Sequence, residues 1–138
     1  MKFCLLEEPF KNNVRKNRKI FAYSLYKAYN KEQVMKTDIL QSITERLREV
    51  LPSGAHAILF GSRARGDARH DSDWDVLILL DKTKIEAADY DNVSYPLVEL
   101  GWSLNECISP VLYTFKDWVN HHFTPFYHNV KDEGIQLV

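Results

Sequence analysis

Apolar positions along the chain change their period several times, and each change predicts an element. Ile39, Leu40, Ile43, Leu47, Val50 and Leu51 recur at three and four residues, which predicts a helix capped by Thr37 or Asp38 and ended by Pro52-Ser53-Gly54. Residues 55–60 form a short apolar run leading into Gly61-Ser62, a buried strand followed by a tight turn. Residues 64–67 suit a short helical turn, and 68–72 a loop. Trp74-Asp-Val-Leu-Ile-Leu-Leu80 is continuous and aliphatic, so it should lie inside a sheet with both faces covered. Residues 81–92 are charged, with only partial helical spacing, and 95–107 read as a helix or a long crossing segment. Residues 108–113 make a third strand, which Pro110 assigns to an edge or a bulge. Thr114 caps one further helix, and Thr124-Pro125 opens a last one running toward Gly134. Together these predict a compact α/β (α+β) domain, a small mixed sheet with helices packed on it.

Upstream, the pattern differs. Residues 11–19 are basic and polar with no apolar period, whereas 20–29 are apolar at nearly every position and predict a short helix docked on the body. Met35 reads as a fresh beginning. The expected division is therefore a basic extension over 1–34, irregular or dispensable, and one domain over 35–138. Charge follows the same line: residues 1–36 carry nine Lys/Arg against three Asp/Glu, and residues 37–138 nine against sixteen. Such asymmetry marks either a solvated tail or an arm for an acidic partner, and residues 11–19 alone are thin support for nucleic-acid binding.

The chain has 138 residues and is 45% hydrophobic, enough for a real core and against wholesale disorder. Its longest aliphatic run, 76–80, falls far short of the roughly 20 residues a membrane-spanning helix needs. The apolar stretch at 3–6 is too short for a secretory signal, and Cys4 and Cys107 make neither a disulfide framework nor a zinc site. A reduced, cytoplasmic protein is the expectation.

One stretch concentrates the chemistry: Gly61-Ser-Arg-Ala-Arg-Gly-Asp-Ala-Arg-His-Asp-Ser-Asp-Trp-Asp75. Residues two apart on a strand share a face, so Asp73 and Asp75 project side by side toward the Gly61-Ser62 turn. Adjacent carboxylates repel, and a divalent cation relieves that repulsion. Oxygen-only ligands suit Mg²⁺ shared with substrate phosphates. Gly61 permits close backbone approach, Ser62 adds a hydroxyl, and Arg63, Arg65 and Arg69 supply positive charge for phosphate oxygens. The parts read as a nucleoside triphosphate with a metal. Competing readings fare worse. Asp71, Asp73 and Asp75 mimic the start of an EF-hand loop, but Val76 and Lys82 stand where its Gly and Glu belong. The histidines lack ligand spacing, and Arg65-Gly66-Asp67 is a coincidental tripeptide.

Gly61-Ser62, ten residues, then Asp73-x-Asp75, within the fuller pattern Gly-Ser-x-Ala-Arg-Gly and Ser72-Asp73-x-Asp75, resembles the minimal nucleotidyltransferases of the DNA polymerase beta superfamily, of the antitoxin type. The resemblance spans roughly residues 37–138. It implies that fold, and Mg²⁺-dependent transfer of a nucleoside monophosphate from a nucleoside triphosphate, with ATP the expected donor and pyrophosphate leaving. By the same resemblance Gly61 and Ser62 would hold the triphosphate and Asp73 and Asp75 the metal; Arg63 and Arg65, by their charge, and Ser72, within the motif, complete the expected nucleotide site. The family carries a third carboxylate on a later strand; residues 108–113 have none, and Glu106 is the nearest substitute. Small members of this kind pair with a helical HEPN-type toxin, some by modifying a hydroxyl of that partner. The alternative is a binding module that keeps the fold and neutralises its partner stoichiometrically.

Overall fold

The computed structural model describes residues 9–138, with side chains from Ile20 onward. The expectations for residues 1–8, Cys4 included, lie outside the described residues. The chain divides into two compact units, Met1–Asp38 and Ile39–Val138.

Helix α1 runs without a break over Pro9–Val50. No helix begins at Thr37 or Asp38: the Thr37 hydroxyl donates to the carbonyl of Gln33 at 3.0 Å, a bond to the preceding turn that exists only within a helix. The short helix expected over 20–29 is an internal part of α1. Its larger apolar side chains are exposed, Phe21 at 66% and Tyr26 at 61%. Among the described residues no helix is long and apolar enough to cross a membrane.

In the second unit the end of α1 is followed by β1 (His56–Phe60), α2 (Ser62–Arg65), β2 (Trp74–Leu80), α3 (Ala87–Asp89), a π-helical turn (Tyr90–Ser94), α4 (Tyr95–Leu104), β3 (Ile108–Thr114), α5 (Phe115–Asn120), α6 (Pro125–Glu133) and β4 (Ile135–Gln136). The four strands form one mixed sheet in the order β3-β2-β1-β4. β1 is antiparallel to β2 and β4, whereas β3 runs parallel to β2, a connection that needs the crossover α4 supplies. β2 is interior, as its aliphatic run predicts, and β3, with Pro110, is an edge. β4, only two residues long, escapes periodicity.

Alternation along β2 sends Val76, Ile78 and Leu80 to one face, where they pack with Ile43 and Leu47 of α1 and Leu97 of α4. Leu77 and Leu79 face the other way, onto Trp118 of α5 and Val130 of α6. The caps of those two helices are as expected: the hydroxyls of Thr114 and Thr124 accept from the backbone N–H of Asp117 at 3.0 Å and Tyr127 at 3.2 Å. α4 lies so close to the start of β3 that a Cβ on Gly101 would meet the Glu106 carbonyl at 2.8 Å.

Candidate functional site

β1 delivers the chain to Gly61, whose φ of 73° and ψ of −158° lie in a region essentially reserved for glycine. That conformation turns the chain straight into α2 and lays the Gly61 backbone against β2. A Cβ there would stand 2.5 Å from Asp75 Oδ2. The pairing of Phe60 with Asp75 across the β1–β2 ladder fixes this approach. Asp73 and Asp75, two apart at the opening of β2, occupy one face, Asp73 exposed and Asp75 half-buried. The Asp75 carboxyl is pushed above the usual carboxylate range, first by burial, then by the negative charge of Asp73; the Arg65 guanidinium opposes this.

The loop between α2 and β2 is held by α2's own arginine. The Arg63 side chain is 4% exposed. Its guanidinium donates to the Ser72 carbonyl at 2.8 and 3.2 Å and to the His70 carbonyl at 3.2 Å. It lies 4.7 Å from the centre of the Trp74 ring, on its face. The Ser72 hydroxyl accepts from the Arg69 N–H at 2.8 Å, closing the same loop. Arg65 points the other way, donating to Asp67 and to Glu133 of α6, both at 3.3 Å, and these acids raise its pKa further.

Glu106 accepts from the Trp74 indole N–H at 3.0 Å and stands 3.7 Å from Arg63. Trp74, Arg63 and Glu106 thus form one half-buried cluster that sets the loop and the start of β2. Asp73 and Asp75 point away from it, since Trp74 lies between them on a strand whose side chains alternate. The sequence-predicted residues therefore separate: Gly61 and Arg65 act on the Asp73–Asp75 carboxylates, Arg63, Ser72 and Glu106 support the loop, and Ser62 opens α2 directly after Gly61.

Two residues beside Asp73 escaped sequence reasoning. Ser109 of β3 pairs with Asp75 across the parallel ladder, and its hydroxyl lies 3.5 Å from Asp73 Oδ2. The exposed Cys107 thiol also donates to Asp73, which, followed by burial, pushes its pKa up. Only the strand register shows this; position 109 carries no charge to mark it in the sequence.

The donor set suits a hard divalent cation. Among the described residues no three His, Cys, Asp or Glu gather as a closed metal cage. Two carboxylates with open positions are what Mg²⁺ uses when substrate oxygens and water complete its shell. A cavity of about 270 Å³ lies farther along this face of the sheet, lined by Ile58, Trp118, Tyr127, Val130, Lys131, Gly134 and Gln136; it includes neither carboxylate, so the reacting groups lie elsewhere.

A family model described as a nucleotidyltransferase domain matches residues 40–117. No curated protein sequence matches the chain. Among solved structures, the chain is similar to a chain of a toxin–antitoxin crystallised with AMP-PNP, at 23% identity over 72% of each chain with a TM-score of 0.50. It is also similar to a chain of a mutant MntA–HpeT toxin–antitoxin, at 21% identity over 72% of each, with a TM-score of 0.49.

Proposed function

The chain belongs to the nucleotidyltransferase domain family, and on that premise we propose that it moves a nucleoside monophosphate from ATP to a hydroxyl of a protein partner, as the antitoxin of a toxin–antitoxin pair. The observation that carries the reading is the Asp75 carboxylate pressed against the Gly61 turn, with the charge of Asp73 acting on it from the same strand face. The relative crystallised with AMP-PNP supports a nucleotide donor and a toxin as partner. A helical HEPN-type toxin is the partner expected from the motif.

Asp73 and Asp75 hold Mg²⁺ in this reading. When bound, the ion neutralises phosphate charge and stabilises the leaving oxygen. Gly61 and Ser62 seat the triphosphate, since a backbone without Cβ lets phosphate approach the strand end. Arg65 stands beside Asp75 and adds positive charge. The acceptor oxygen forms a bond to the α-phosphorus, the bond from that phosphorus to the bridging oxygen of pyrophosphate breaks, and the hydroxyl proton passes to solvent. Arg63, Ser72 and Glu106 act indirectly, by holding the loop that carries the chain into Asp73.

The commitment of Glu106 to the Trp74 indole favours a second reading, a nucleotidyltransferase fold that neutralises its partner by binding alone. Incorporation of label from α-labelled ATP into the helical partner separates the two. Wild type should label the partner, and Asp73→Asn should not. Suppression of the partner with no label incorporated would replace transfer by stoichiometric binding.

A further inference from the structure

The hydroxyl of Ser109 has no part in the metal and triphosphate chemistry derived above, yet it stands beside it. Parallel pairing sets Ser109 opposite Asp75, and neighbouring strands lie about 4.8 Å apart with paired side chains on one face. Ser109 therefore shares the face that carries Asp73 and Asp75, and its hydroxyl donates to Asp73 Oδ2 at 3.5 Å. The opposite face enforces this orientation. Ile108, the preceding residue, is 4% exposed and belongs to the core cluster that holds Trp74. α4 closes over it, since a Cβ on Gly101 would stand 3.2 Å from the Ile108 side chain. Turning Ser109 away from the carboxylates would pull Ile108 out of that core. The hydroxyl is thus fixed by a strand, half-buried, beside the two acids that carry the proposed function. Its neighbours in the site are otherwise engaged: the Ser72 hydroxyl accepts from the Arg69 N–H, and Glu106 accepts from the Trp74 indole.

A hydroxyl is a weak nucleophile until a base within hydrogen-bond reach takes its proton, and that reach is often looser before substrate arrives. Ser109 has such a base in Asp73, whose two oxygens can serve a cation and a hydroxyl together. We propose that, when no partner protein is present, the chain transfers a nucleoside monophosphate to its own Ser109, an inference that rests on the reading of Asp73 and Asp75 as the holders of Mg²⁺ and a triphosphate. Ser109 Oγ forms a bond to the α-phosphorus, and the bond from that phosphorus to the bridging oxygen breaks. Pyrophosphate leaves with the electron pair. The proton moves along the existing hydrogen bond to Asp73 and on to solvent, and the product is a phosphodiester between serine and nucleoside. The step is intramolecular, because the half-buried hydroxyl already faces its own chain's carboxylates and needs no second molecule to meet them. It stops at one nucleotide per chain, since the attached group covers Asp73. A partner hydroxyl competes with Ser109 for the same phosphorus, so the partner suppresses the modification.

Intact-mass measurement of the full chain incubated with ATP and Mg²⁺, followed by peptide mapping, tests this. Wild type should gain the mass of one AMP, located at Ser109, at a rate per chain that does not change with chain concentration. Ser109→Ala, checked for an unchanged melting transition, should gain none. A parallel reaction with α-labelled ATP and the helical partner separates this proposal from the reading beneath it. A partner that takes up label while the chain alone gains no mass overturns self-transfer and leaves the transferase intact. Mass gained at another residue, or gained equally by Ser109→Ala, overturns it too, as does a rate that rises in proportion to chain concentration. If neither chain nor partner is modified, self-transfer and transfer to the partner fall together.

Discussion

Removing the Arg63 side chain tests whether it serves as the clamp of the α2–β2 loop or as a ligand for phosphate. The guanidinium is almost wholly buried, hydrogen-bonded to the Ser72 and His70 carbonyls and stacked on Trp74. Hydrogen bonds from a charged donor contribute about 1.5–3 kcal/mol, and a desolvated cation on an indole about 2 kcal/mol. These contributions share one side chain and do not add fully, so Arg63→Ala should cost about 3 kcal/mol. For a unit near 100 residues that lowers the melting temperature by about 12 °C or more. Arg63→Lys should recover little of the loss, because an ammonium cannot bridge two carbonyls and also lie flat on the ring. The assay is thermal unfolding of the full chain without nucleotide. A melting temperature left unchanged by Arg63→Ala, with nucleotide affinity lost, would refute the clamp and return Arg63 to the phosphates.

Gly61→Ala should destabilise the protein by about 2–3 kcal/mol in denaturant unfolding, since it forces a side chain into a glycine-only conformation and onto the Asp75 carboxylate; wild-type stability would show that the turn relaxes freely. Asp75→Asn should behave oppositely. The folded-state pKa of Asp75 lies above its ordinary value, so its ionisation disfavours the folded state at neutral pH. The Asn variant should therefore melt slightly higher at neutral pH, by no more than about 1 kcal/mol given the solvent exposure of the site. Its advantage should shrink as pH falls through the carboxylate range and Asp75 takes up its proton. A variant less stable than wild type at neutral pH would contradict the origin assigned to the shift.

Legibility in the sequence followed the range of the forces involved. β2 announces itself because an interior strand covered on both faces must be apolar at every position. Thr114 and Thr124 announce their helices because a cap is a local hydrogen bond. The Asp73–Asp75 pair and Gly61 were legible as a motif, since period-two alternation and a glycine turn are short-range constraints. Thr37 misled because a hydroxyl that caps in one context bonds back to Gln33 within a continuing helix. Glu106 and Ser109 were opaque for another reason. The partner of Glu106, Trp74, lies 32 positions away, and which β3 side chain stands beside Asp73 depends on the parallel register, which sequence spacing does not encode.

The central claim is that Asp73 and Asp75 together hold a metal–triphosphate unit, and its most direct test is calorimetric titration of the full chain with ATP in the presence and absence of Mg²⁺. Two neighbouring carboxylates repel a bare triphosphate and attract one that arrives with a divalent cation. Binding by wild type should therefore require Mg²⁺ and should disappear in both Asp73→Asn and Asp75→Asn, while Glu106→Gln, remote in role from the phosphates, should keep its affinity. ATP binding of equal strength without Mg²⁺, or undiminished binding by the two Asn variants, would contradict the account.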